Sequence, residues 1–244
     1  MADKLGPFDF TDNVVIVTGA AGILGQAVAR AFHSARAKLV LVDRSPDRLQ
    51  QIYPELVDSP DSYLATSVDL LDAETVERMV KTTLQRFGQI DVLANTVGGY
   101  RGGTKVHETP LETWDFLLNL NARTAFVISR AVVPAMLEQK HGKIIHVAAR
   151  AALEGSSRHA AHSASKSAVI RLTETLSAEL KRSGINVNCV LPDTIDTPQN
   201  RQDMPDARTD RWVKPEAIAD VFLFLASDAA RAVTGAAIPV YGQG

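Results

Sequence analysis

Val14-Val15-Ile16-Val17-Thr18-Gly19-Ala20-Ala21-Gly22-Ile23-Leu24-Gly25 is the stretch that decides how this chain folds. Four β-branched residues with no polar alternation describe a strand buried on both faces. The small residues after them describe a strand-to-helix turn whose backbone a pyrophosphate can approach, while the helix start supplies free N–H groups and a partial positive charge. Gly19, Ile23, Leu24 and Gly25 are the candidate contacts. A glycine-rich turn also simply ends strands, but its place after the first strand of an alternating chain favours the anion-binding reading.

Outward from this turn, short apolar runs alternate with longer helical patterns. Strand-like runs fall at residues 14–17, 38–42, 92–95, 143–147, 186–191 and 237–240; helical patterns fall at 26–34, 73–87, 114–138, 163–182 and 215–225. This is the rhythm of βαβ units. It predicts an α/β fold, a doubly wound Rossmann-type parallel sheet with helices on both faces, in a single domain over residues 1–244. Residues 193–214 depart from the rhythm: Pro198, Pro205, several charges and Trp212 stand without a sustained apolar period, the pattern of a lid or binding loop.

Asp43 closes the second strand about 20 residues beyond the glycines, where a carboxylate accepts hydrogen bonds from ribose hydroxyls and repels a 2′-phosphate. This favours NAD(H) over NADP(H), although Arg44 beside it is able to accommodate a phosphate; an N-cap or turn aspartate is the plainer alternative.

A chain of 244 residues with 45% hydrophobic content is long enough for one well-filled core. The net charge is −2 and the 26 basic residues are dispersed, so neither nucleic acid nor an anionic membrane is an implied partner; a small molecule is. Cys189, the single cysteine, lies in an apolar run and reads as a buried hydrophobe. The segment Met1 to Pro7 lacks the apolar core of a leader, and no run reaches the roughly 18 apolar residues of a membrane span, which makes a cytoplasmic protein the expectation.

Ala161-His162-Ser163-Ala164-Ser165-Lys166, together with the glycine turn, Asp43, Asp69-Leu70, Asn95 to Gly98, Asn121, Pro192 to Thr197 and Thr234-Gly235, resembles the short-chain dehydrogenase/reductases over nearly the whole chain. The resemblance implies that Asp69 and Leu70 lie by an adenine, that Asn95 to Gly98 flank the nucleotide, and that Pro192 to Thr197 meet the nicotinamide end. It also implies a homotetramer or dimer built on the two longest helices. Ile23 stands where most members have glycine. Of the family's catalytic Asn, Ser, Tyr and Lys, Asn121 and Lys166 are present, Ala149 falls at the serine position, and His162 falls at the tyrosine position. Within the family, Gly98-Gly99-Tyr100-Arg101-Gly102-Gly103, residues 149–155 and residues 196–205 resemble the quinonoid dihydropteridine reductases, which also carry alanine at the serine position.

A tyrosine beside a lysine donates a proton because the cation lowers the phenol pKa; the same Lys166 charge should hold His162 neutral. A neutral imidazole donates weakly, so the expected substrate is a small cyclic, quinonoid or carbonyl compound that needs little acid help, with Tyr100 as a stacking platform, Ala149 and His162 beside the substrate and Trp212 covering it. Two other readings stand: a nucleotide-binding protein without turnover, and an ordinary ketoreductase switched off at position 162. His159 and His162 have no acidic or thiol partner nearby in sequence, so no metal site is expected.

Overall fold

A computed structural model describes residues 8–242; the leader reading of Met1 to Pro7 falls outside them. Seven parallel strands form one sheet in the order β3-β2-β1-β4-β5-β6-β7. They are β1 (Val14–Thr18), β2 (Lys38–Val42), β3 (Ser62–Ala65), β4 (Val92–Asn95), β5 (Gly142–Val147), β6 (Ile185–Pro192) and β7 (Ala237–Val240). The helices between them are α1 (Ile23–Ser34), α2 (Arg48–Ile52), α3 (Ala73–Phe87), α4 (Leu111–Leu117), α5 (Thr124–Gln139), α6 (Ala160–Leu180), α7 (Pro198–Asp203) and α8 (Pro215–Ala226).

Side-chain alternation along the strands explains the layers. Val15, Val17, Leu39 and Leu41 point to one face and pack with Val28 and Phe32 of α1 and Ile218 and Phe222 of α8. Val14, Ile16, Val40 and Val42 point to the other and pack with Val76 and Met79 of α3 and Ile128 and Val132 of α5. A strand sandwiched in this way has no solvent face, hence its unbroken apolar run. Chain order reverses between β1 and β4, which opens a crevice at their carboxyl ends, the place where such sheets bind ligands.

Three elements differ from the sequence expectation. The rhythm passes over β3, which pairs only with β2 and is only partly buried in its middle, so an edge strand lacks the apolar signal. The helix expected at 114–138 is α4 and α5 joined by a wide π-type turn, Leu118–Arg123, that contains Asn121. This continuous Leu111–Gln139 stretch is, by length and composition, apolar enough to cross a membrane, contrary to the reading from apolar runs; Ile128, Val132 and Met136 on its inner face fill the core, which accounts for that apolarity. Residues 193–214 contain α7 and a short turn at Thr209–Arg211, and their ends are tied by a parallel bridge between Ile195 and Val213.

Phe222→Ala, which empties a fully buried ring position between α8 and α1, is expected to cost about 3–5 kcal/mol, measured by urea denaturation; a loss under about 1 kcal/mol would contradict this packing.

Candidate active site

The glycine turn is built as a cradle. Gly19 has φ of 65°, and a Cβ on Gly25 would lie 2.1 Å from the Gly19 carbonyl oxygen, so the helix starts against bare backbone. The first turn of α1 carries no acidic residue. Ile23 is 43% exposed, whereas the Leu24 side chain belongs to the core, leaving its N–H as the group able to face a ligand. Asp43 sits beside the turn: its Oδ2 accepts from the Ala21 N–H at 3.3 Å and its Oδ1 from the Ser45 N–H at 2.9 Å. Two braces escaped the sequence reading. The Tyr53 hydroxyl donates to the Ala20 carbonyl at 2.8 Å and Arg48 Nη2 to the Ala21 carbonyl at 3.0 Å; no motif marks either residue. This bare, electropositive turn with a carboxylate beside it fits a dinucleotide.

The remaining cofactor candidates divide by what their side chains do. Asp69 is exposed and accepts from the Leu71 N–H at 2.9 Å, while Leu70 is buried in the core. Pro192 ends β6, and Thr197 Oγ1 accepts from the Asn200 N–H at 3.1 Å, starting α7. Asn95 is turned into the sheet. Its Oδ1 accepts from Thr18 Oγ1 at 2.6 Å, so its Nδ2 donates to His146 Nδ1 at 3.2 Å. His146 is thereby the Nε2–H tautomer and donates to Ser129 Oγ at 3.2 Å, which donates to the Ala125 carbonyl at 2.7 Å. Burial first, and the Lys166 charge second, push the His146 pKa down to about 4.

At the other end of the crevice, α6 places His162 and Lys166 one turn apart on one face. His162 is 8% exposed, and its Nδ1 has no hydrogen-bond partner among the described residues. Burial and then the Lys166 charge push its pKa down to about 4, so the ring is neutral near pH 7. Lys166 is 4% exposed, donates from Nζ to the Val147 carbonyl at 2.8 Å, and is pushed down to about 8 by burial. Asn121 in the wide turn accepts from the Gly99 N–H at 2.9 Å and donates to the Gly99 carbonyl at 3.1 Å and to Ser165 Oγ at 2.9 Å. Such turns recur where a helix is bent to a task. Gly98 explains the glycine pair: a Cβ there would lie 2.6 Å from Lys166 Nζ and 3.0 Å from Asn121 Oδ1.

Tyr100 is 58% exposed and packs edge-on against His162, with ring centroids 5.0 Å apart, and beside His159 at 5.7 Å. Ala149 lies just beyond β5 and offers only a methyl group. Trp212 is half-buried next to the Ile195–Val213 tie; the cavity of about 580 Å³ beside Tyr100 is lined from the 193–214 segment by Asp203 instead.

The sequence pattern of the short chain dehydrogenase family matches residues 13–208. The chain is 32% identical to 3-oxoacyl-(acyl-carrier-protein) reductase FabG of Thermotoga maritima, over 94% of this chain and 96% of that one. It is also 32% identical to the hydroxy(phenyl)methylsuccinyl-CoA dehydrogenase subunit BbsD of Thauera aromatica, over 95% and 96%. The crystal structure of gox2181 superposes with a TM-score of 0.86 at 29% identity, over 95% of both chains.

His146 and His162 take up protons on unfolding below the ordinary histidine pKa of 6.5 but not in the fold until about pH 4. Their neutral burial therefore contributes stability that is present above about pH 6.5 and lost as pH falls toward 4, about 3 kcal/mol for each. Unfolding free energies across this range should fall more steeply in the wild type than in His162→Gln; parallel curves would sink the assignment.

Proposed function

The chain belongs to the short-chain dehydrogenase/reductase family, and on that premise we propose that it is an NAD(H)-dependent oxidoreductase delivering hydride to a small, flat and already electrophilic substrate, a quinonoid ring of the dihydropterin type or an activated carbonyl. The observation that carries this reading is the neutral His162 ring, with an unpartnered Nδ1, between buried Lys166 and exposed Tyr100. The names of the two relatives, a reductase and a dehydrogenase, support hydride chemistry.

When bound, the dinucleotide supplies the hydride; Gly19, Ile23, Leu24 and Gly25 would hold its pyrophosphate, and Asp43 its adenosine ribose. Asp69, Leu70, Gly98, Pro192 and Thr197 complete its envelope, with Asn95 holding the strands beneath. The Asp43 carboxylate beside the turn supports NAD(H) over NADP(H), since a 2′-phosphate would meet its charge. His162 offers a neutral hydrogen bond from its ring to the atom that gains charge. A ring that becomes aromatic on accepting hydride needs no stronger acid, whereas an unactivated ketone does. Lys166 presents a desolvated cation and Asn121 holds the Gly99 backbone and Ser165 in place. Tyr100 gives a flat substrate an aromatic surface, with Ala149 leaving room beside it and residues 193–214 serving as the lid, Trp212 at its base and Asp203 toward the cavity. Exposed Phe126 and Leu137 on α5 support self-association as a dimer or tetramer, and a single buried thiol at Cys189 suits a cytoplasmic enzyme.

NADH oxidation with quinonoid 6-methyldihydropterin should proceed in the wild type and fall at least a hundredfold in Lys166→Ala. Silence in the wild type with activity in His162→Tyr would overturn the reading. Asp43→Ser should shift the NADH to NADPH preference about tenfold toward NADPH; an unchanged ratio would remove Asp43 from cofactor choice.

A further inference from the structure

The cavity beside Tyr100 is electropositive by construction. Tyr100, Arg101, Arg158, His159, Ala160 and Asp203 are among its lining residues. The Arg101 guanidinium lies flat on the Phe116 ring, 3.6 Å from its centroid. Arg158 is fixed differently: its backbone has φ of 66°, and its carbonyl accepts from the Gly103 N–H at 3.0 Å. A non-glycine residue held in that region is strained unless its surroundings impose it. Among the described residues neither arginine has a carboxylate within 4.0 Å, while Arg150, Arg201 and Arg208 on neighbouring segments are all paired with aspartates. The first turn of α6, which starts at Ala160, carries no acidic residue and its N-cap position makes no side-chain capping bond, so its amide groups add to the same field. The lining holds one carboxylate, Asp203, whose Oδ1 accepts from Gln199 Nε2 at 2.8 Å.

Two guanidinium groups with no carboxylate partner among the described residues, Arg158 donating from Nη1 only to the Gly103 carbonyl at 3.5 Å, are suited to a carboxylate, which they can bind in a fork. The distance from the reacting centre is short: Tyr100 touches His162 on one side and lines the cavity on the other. We propose that this cavity is the subsite for an anionic substituent, a carboxylate carried by the flat substrate, with Arg101 and Arg158 as its ligands and Asp203 setting an upper limit on the charge accepted. The inference rests on the reductase reading of the same site and adds a substrate class to it: a flat electrophilic ring with a carboxylate about one ring's width from the atom that faces His162.

The test uses two stable flat-ring probes that differ in one group, pterin and pterin-6-carboxylate, titrated by calorimetry into the full chain saturated with NAD⁺. The carboxylate should bind about tenfold more tightly, the gain of one charge-assisted contact. Arg101→Gln and Arg158→Gln should each bring the ratio close to one, Arg101→Lys should keep part of it, and Asp203→Asn should raise it. Equal affinity for the two probes, binding of neither, or a ratio that survives both glutamine substitutions overturns the subsite. Turnover of quinonoid 6-methyldihydropterin, which carries no carboxylate, is read separately: its presence with no anion preference removes this proposal alone, and its absence removes the reductase reading.

Discussion

A single file of buried hydrogen bonds, from Thr18 to Asn95 to His146 to Ser129 to the Ala125 carbonyl, crosses β1, β4 and β5 and reaches α5. Each donor in it points one way, so every member has a partner and none of the buried polar atoms is left to water. The file lies under the reversal of strand order, where parallel strands part and the crevice opens. Without it the carboxyl ends of β1 and β4 would be held by backbone ladders and by Thr96 Oγ1, which donates to the Thr18 carbonyl at 2.6 Å, and the glycine turn above one end and Gly98 above the other would lose a common floor.

Charge in the crevice is managed by desolvation. Lys166 is buried beside two imidazoles, and its charge, added to their own burial, keeps both uncharged. A cation surrounded by neutral groups retains its field instead of spending it on a counter-ion. An imidazole in that field is kept from protonating. His162 beside this cation therefore presents a neutral ring to whatever binds there.

The sheet was legible because burial on two faces leaves a mark in sequence: the runs at 38–42, 92–95 and 237–240 coincide with β2, β4 and β7. The edge strand β3 lacks that mark. Asn121 stands out by type and position, but the bonds that hold its wide turn run to Gly99, 22 residues away in the chain, and leave no local mark. His146 in an apolar strand carries no local signal at all; its partners come from β4 and α5. Arg101 and Arg158 are far apart in sequence and meet only because the loops after β4 and β5 cross at Gly103. Trp212 was drawn toward the substrate by its aromatic character, yet the fold sets it at the root of its segment and brings Asp203 to the cavity instead.

The tie between Ile195 and Val213 closes the 193–214 segment into a bow, with Val213 donating to the Thr194 carbonyl and Asp196 donating to the Val213 carbonyl. The entropy of bringing the two ends of that stretch together is lost once, when the chain folds. A bow already closed at its base has little disorder left to surrender when a ligand arrives. Affinity for whatever enters beneath it is then set by the contacts at its crest, so the sequence between the two roots is free to diversify without unmooring the sheet.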